Sequence, residues 1–314
     1  MSLSGDSVDT AELAPDLDAP RPNTSPGWSR GNATHEWWAR MRASRSGMIG
    51  LVVLILLIAI AMLAPLISPY APNELAGESL QAPSRSHLMG TDNVGRDVLS
   101  VVIYGARIAL LMGLLSAGLA LLVGGLVGGV AGYAGGAIET ILMRVTELFQ
   151  IIPLMVLALF VVALWGSHLW LLVVAVTIAI WPLEARIVYG QVKALKDREF
   201  VQVARVAGAP HAQILAREIL PNALPPVIVQ VSLDAGLAIL TQTSLGFLGL
   251  GDPNAASWGQ LLYAAQSYLS TAWWMSVFPG LAVALAIIAF SLLGDGLNEI
   301  YNPHQRRGTL GRSR

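Results

Sequence analysis

The sequence predicts an all-α integral membrane protein with six transmembrane helices, and three observations carry that prediction. Hydrophobic residues are 54% and charged residues 12% of the chain, about half the charge of a soluble domain, so the composition suits lipid as solvent. Six segments are apolar and long enough to cross a hydrocarbon core about 30 Å thick, which takes about 20 helical residues; they are 48–67, 108–131, 141–164, 169–183, 224–248 and 273–293. The third observation is the placement of positive charge. Arg40, Arg42 and Arg45 precede the first span, six Lys or Arg lie between Arg186 and Arg217, and Arg306, Arg307, Arg312 and Arg314 follow the last, whereas loop 249–272 has none. By the positive-inside rule both termini and the 186–222 loop face the cytoplasm, which an even number of spans allows.

Residues 1–46 form the first unit. Residues 1–34 are rich in Asp, Pro, Ser and Ala, with Pro15, Pro20, Pro22 and Pro26 breaking any helix, which predicts disorder. Residues 35–46 carry Trp37, Trp38 and three arginines. Two readings stand: a helix lying in the inner headgroup region, or simply the cytoplasmic start of the first span. That span begins almost fifty residues in, without a small-residue cleavage site, and reads as retained rather than as a signal peptide. With its outer loop it makes a unit at 47–100. The loop ends in HLMGTDNVGRDVLS, which by itself reads as turn residues followed by a helix start.

Residues 101–296 are a five-helix core, and 297–314 a cytoplasmic tail. In the second span Gly124, Gly128 and Gly132 recur at helical spacing, so a neighbouring backbone can come close. The partner, within this chain or in another, is not readable, although internal packing is the simpler reading. Glu139, Arg144, Glu147, Glu184, Arg186 and Asp295 lie mostly near cytoplasmic ends, where snorkelling or pairing accounts for them; Glu184 with Arg186 reads as a hinge contact into the following loop. His168 sits in a short outer turn and reads as solvated.

Between the fourth and fifth spans runs REFVQVARVAGAPHAQILAREILPN, residues 198–222, charged and amphipathic. Gly208 falls where one short helix must end and another begin, Pro210 near the start of the second, and Pro221 where it would close. A helical hairpin held just outside a bilayer is either a surface for another protein to push or an amphipathic loop packed on the membrane. Ala204 and Gly208 permit close approach, and Phe200, Val201 and Val203 offer apolar contact.

Within the fifth span Asp234 is the strongest functional candidate, because a charge at the bilayer centre costs at least about 2.5 kcal/mol. Gln230, Ser232, Thr241, Gln242, Thr243 and Ser244 share its helix. Either Asp234 faces a water-filled path with Thr241 and Gln242, or it is paired with an arginine or capped by a hydroxyl without touching substrate.

Several chemistries are excluded. Without cysteine there are no disulfides, thiolate metal sites or thiol catalysis. There is no phosphate-cradling Gly-x-x-x-x-Gly-Lys-Ser/Thr, no His-Glu-x-x-His and no Gly-x-Ser-x-Gly, so this chain is not read as an ATPase or hydrolase. Nucleic-acid binding has no support in charge or motif.

Three motifs together carry a resemblance. The 198–222 loop resembles the cytoplasmic EAA loop of ABC importer permeases, with Ala204, Gly208, Leu220 and Pro221 in register; Gln202 stands for the Glu, Val203 for the first Ala and Glu218 for the Ile. His87, Gly90, Thr91, Asp92, Gly95, Arg96 and Asp97, followed by Gly105, Ala106 and Arg107, are similar to the signature of the dipeptide, oligopeptide and nickel branch, C-type subunit, with Leu88 in place of a usual proline. SLGFLGLGDPNAASWGQLL, residues 244–262, also resembles that branch. The resemblance implies a type I ABC importer permease (MetI-like) fold in a bacterial inner membrane. It further implies a homologous B-type permease, two ATP-binding subunits and an extracytoplasmic substrate-binding protein as partners. ATP and Mg would be used by the partner subunits, with no cofactor and no metal on this chain. Residues Phe200, Val201, Gln202, Val203, Ala204, Arg205, Gly208, Ala209 and Pro210 are the expected ATPase-coupling segment. The implied cargo is a di- or oligopeptide; nickel chelates, glutathione or oligosaccharides travel through the same architecture. Readings from other classes are an ion-gradient carrier, for which inverted repeats with broken helices are missing, and a non-transporting membrane scaffold.

Overall fold

The computed structural model describes Trp38, Ala39, Met41, Arg42 and residues 44–301. The expected disordered tail, Trp37 and Arg40 of the interfacial segment, and the arginines after Tyr301 lie outside the described residues. Among the described residues there is no strand, only an isolated bridge between Thr91 and Asp97.

Helix α1 (Arg45–Ile67) starts at Ser44, whose hydroxyl accepts from the Gly47 amide at 3.1 Å, satisfying one of the orphan donors of a helix start. Helix α2 (Val98–Ala134) has 37 residues, about 55 Å at 1.5 Å per residue. It begins at the helix start read after the Gly-Arg-Asp run, ten residues ahead of the expected span start at 108, because Asp97 caps it there. The third apolar segment is not one straight helix. Helices α3 (Gly136–Ile151) and α4 (Leu154–Trp165) meet at an 85° bend. The cause is local: Pro153 disfavours helical backbone at the residue before it, and Ile152 is extended at φ −78°, ψ 124°. Five helices are therefore long and apolar enough to cross a membrane, or six if the bent pair is one crossing.

Helix α5 (Leu169–Leu195) runs through Pro182 and twelve residues past the expected end at 183. Helix α6 (Glu199–Val206) is the first short helix of the charged loop. The second does not close at Pro221. It continues as α7, a 40-residue run His211–Leu250 that leaves the helix only in its last turn, at Gly249 with φ +82°. Proline should interrupt it by removing a donor and crowding the carbonyl four residues back. Immediately before Pro221 the helix widens into a π segment, Ile214–Ile219, and the Leu220 amide reaches the Leu215 carbonyl; this changed register lets the ring enter without breaking the helix. The loop after α7 holds α8 (Trp258–Ala265), and the chain returns in α9 (Trp274–Tyr301).

The most extensive helix contact is α2 on α5. A Cβ on Gly124 would lie 2.7 Å from Glu184 Cβ, on Gly128 2.2 Å from the Ala185 carbonyl, and on Gly132 2.9 Å from the Tyr189 carbonyl. The glycine stripe thus packs within this chain. One core cluster joins α2, α4, α5 and α7; another joins α1, α2, α7 and α9.

Candidate functional site

The charged hairpin between α5 and the long run of α7 is built by capping geometry. After α6 the Gly208 amide donates to the Arg205 carbonyl and the Ala209 amide to the Ala204 carbonyl, both at 3.1 Å, and Gly208 has φ +79°. This is a Schellman turn, for which glycine is suited because its left-handed backbone clashes with a Cβ. Pro210, at φ −66°, then starts α7.

The two faces of α6 do different things. Val201 is fully buried with Val188, Val192, Ile214, Ile219 and Val227, and Ala204 and Ala209 pack on that cluster. Val201 is therefore an anchor to this chain and not part of an outward contact, which corrects its expected placement. On the other face Phe200, Val203 and Val206 are exposed at 38%, 69% and 91%, one per turn. Val206 was missed in the sequence, although the three-residue spacing from Val203 was the signal. Gln202 is exposed and donates to the Asp197 carbonyl at 3.2 Å, and Arg205 is exposed in the last turn.

Flanking helices brace the hairpin. Tyr133, at the C-terminal end of α2, lies 2.7 Å from His211 Nδ1 at the start of α7. Glu139 on α3 accepts from Tyr189 at 2.5 Å and from Lys193 at 2.6 Å, both on α5. At the α3–α4 bend Gln150 donates to the Pro182 carbonyl at 3.1 Å and accepts from Arg186 at 2.9 Å. Arg186 thus serves the bend. It is exposed while Glu184 is fully buried, so the expected Glu184–Arg186 hinge contact is not formed. Arg144 and Glu147 pair at 2.8 Å on the exposed face of α3.

Asp234, Thr241 and Gln242 sit on the interior face of α7, at 1%, 3% and 3% exposure. The expectation that Asp234 faces water is not met within this chain, and neither is the arginine pairing or hydroxyl cap. Asp234 Oδ1 accepts from Gln230 Nε2 at 2.8 Å, and its carboxyl lies against that of Glu184 on α5. The sequence could not pair positions fifty residues apart on different spans. Thr241 donates back to the Leu237 carbonyl at 2.8 Å.

The 87–97 motif folds into a cap that holds the entry of α2. Asp97 Oδ2 accepts from the Ser100 amide and hydroxyl at 2.8 Å, and Oδ1 lies 3.0 Å from His87 Nδ1. Asp92 binds Arg96 Nε at 2.6 Å and the Val94 and Arg96 amides at 2.9 Å. Thr91 takes the Gln81 amide, gives its hydroxyl to the Glu78 carbonyl, and accepts on its own carbonyl from Trp274 of α9 at 3.1 Å. Gly90 and Gly95 sit at φ +76° and +89° against the Gln81 and Gly77 carbonyls. These residues are structural, and a cleft lined by Asn93, Arg96, Ser167, Gln260 and Tyr263 opens beside them. Asp97→Ala removes a buried cap and the His87 partner together, so a loss of about 2–3 kcal/mol is expected, read as a lower melting temperature in detergent; Asp97→Asn should cost less.

Residues 122–307 match the family model described as binding-protein-dependent transport system inner membrane component, and residues 33–83 match the N-terminal TM domain of oligopeptide transport permease C. The chain is 43% identical over 276 residues to the dipeptide transport system permease protein DppC of Escherichia coli, covering 85% of this chain and 92% of that one. It is 38% identical over 266 residues to a putative peptide transport system permease protein of Brucella suis, covering 84% and 90%. To the dipeptide transport system permease protein DppC of Alkalihalophilus pseudofirmus it is 34% identical over 301 residues, covering 94% and 99%.

Proposed function

The chain belongs to the family of binding-protein-dependent transport system inner membrane components, and from that premise we propose that it is one permease half of an ATP-driven importer of di- and oligopeptides. The observation that carries the reading is the exposed Phe200–Val203–Val206 stripe on a short helix that is anchored through Val201 and joined by a rigid turn to a 40-residue helix. An apolar stripe at a cytoplasmic boundary, flanked on α6 by the exposed Gln202 and Arg205, suits a cleft on a soluble partner. Peptide cargo is supported by the names of the related permeases.

The assembly comprises this chain, a homologous second permease, two ATP-binding subunits beneath the coupling segment Phe200 to Pro210, and an extracytoplasmic binding protein above the outer cap, in a bacterial inner membrane with both termini cytoplasmic. ATP and Mg belong to the partner subunits, and this chain carries no catalytic residue. Closure of the ATPase pair pushes α6. Because the Schellman turn and the Tyr133–His211 contact tie α6 to α7 and α2, the push becomes a rigid-body rotation of the spans, which exposes the path to one side of the membrane at a time. The path runs along the exposed face of α7 at Leu233, Leu240 and Ser244, with Asp234, Thr241 and Gln242 holding that face from behind.

Val203→Glu with Val206→Glu tests the reading. Two charges in an apolar contact should cut co-purification of the ATP-binding subunits at least about tenfold, since about 1.4 kcal/mol is a factor of ten, while the permease itself still accumulates. Unchanged capture of the ATPases and unchanged ATP-dependent peptide uptake would sink the coupling assignment. Uptake that follows an ion gradient and ignores ATP would replace the importer with a secondary carrier.

A further inference from the structure

The interior of the bundle holds two acids that the transport mechanism does not call for. Glu184 on α5 is 0% exposed and neither of its carboxyl oxygens has a hydrogen-bond partner. Asp234 on α7 is 1% exposed; Oδ1 takes the Gln230 amide at 2.8 Å and Oδ2 has no partner. The two carboxyl groups face one another. On the α2 side Glu184 is sealed by Gly124, where even a Cβ would come within 2.7 Å of Glu184 Cβ. Among the described residues Gln230 is the sole side-chain donor to the pair, and no Lys, Arg or His forms an ion pair with either acid.

Three buried oxygens without a donor, on two neighbouring acids, cannot persist as two carboxylates. Each unsatisfied charged group would bear its full desolvation cost, and the like charges would repel at low dielectric. One proton resolves both problems. We propose that Glu184 and Asp234 share a single proton, with Glu184 as the carboxylic acid donating to Asp234 Oδ2 and Asp234, already held by Gln230, as the carboxylate. The pair is then a proton-dependent clasp between α5 and α7.

Its position gives the clasp a role. α5 leads into the coupling hairpin and α7 leads out of it, so the shared proton fixes the two arms of that hairpin relative to each other within the membrane. This role rests on the importer reading, whereas the shared proton itself does not. Removing the proton leaves two facing carboxylates and should splay the arms. Replacing Glu184 by Gln supplies a permanent N–H donor to Asp234 at nearly the same shape, so E184Q should hold the clasp closed at any pH.

The test is infrared spectroscopy of the complete complex in lipid nanodiscs at neutral pH, comparing wild type with E184Q/D234N. The expected difference spectrum contains one protonated-carboxyl C=O stretch that shifts in D2O and disappears as pH rises. The melting temperature of wild type should fall as that band is lost, because two facing carboxylates then repel, and that of E184Q should not. If E184Q/D234N fails to accumulate, E184Q alone removes the same band. Absence of the band in wild type, whether because both acids are ionised around a bound cation or because they are separated, overturns the proposal. The infrared result is independent of ATPase coupling and cargo, so its failure and the failure of the importer reading are distinguishable.

Discussion

Gly128→Leu is expected to eliminate the folded protein from the membrane. The Cβ of any side chain at 128 would sit 2.2 Å from the Ala185 carbonyl and 2.9 Å from the Tyr189 amide, both backbone atoms of α5. A flexible side chain can swing aside, but a helix backbone cannot, and relief requires α2 and α5 to separate along the largest contact in the molecule. Overpacking commonly costs 1–3 kcal/mol, with larger costs where nothing can yield, and roughly 3 kcal/mol or more is expected here. Size-exclusion profiles of a fluorescently tagged chain provide the measurement. Gly125→Ala is the control, because its Cβ would meet only Leu121 Cδ1 at 3.9 Å; it should accumulate as wild type does. Equal accumulation of Gly128→Leu would mean that α2 and α5 do not pack as described.

Gly208→Val is the second large effect, and it should leave the permease folded. No atom lies within 4 Å of a Cβ at 208, so the substitution introduces no clash with the rest of the chain. What it meets is its own backbone at φ +79°, where an L-residue costs roughly 1–2 kcal/mol and a β-branched one is especially poorly accommodated. The Schellman turn would open and α6 would swing relative to α7. Peptide transported per ATP hydrolysed should then drop about tenfold, the equivalent of about 1.4 kcal/mol, with the basal ATPase rate retained. Asn, which tolerates the left-handed region, should give a milder defect at 208. Full coupling in Gly208→Val would show that the turn does not transmit force.

The two substitutions separate what the glycines do. At 128 glycine is needed because another backbone occupies the space of a side chain. At 208 the space is empty and the torsion angle makes the demand. Spacing in the sequence marked both positions, but only the three-dimensional arrangement says which physical cause applies to each.

The apolar segments, the break at Gly208, the helix starting after Pro210 and the start of α2 after the Gly-Arg-Asp run were legible from residues 48–293, because hydrophobic run length and capping chemistry are local properties of a chain. Family membership was legible for a related reason: three motifs stand in order with fixed spacing. Other features were not local. The 85° bend at Pro153 and the passage of α7 through Pro221 both involve proline, and the outcomes are opposite. A π segment absorbs the ring in one case; in the other the chain extends before it. Nor could periodicity tell that Val201 turns inward while Val206 turns outward, since α6 is apolar on both of those faces. Asp234 stood out in the sequence as a charge in a span, and its chemistry was decided by Glu184, a residue fifty positions away on another helix. The sequence by itself determined that this chain lives in a bilayer and which segments are apolar enough to cross it, because those depend on neighbours along the chain. Tertiary structure alone decided which acids meet, which glycines are filled by another backbone and which face of the coupling helix is free, because those depend on neighbours across space.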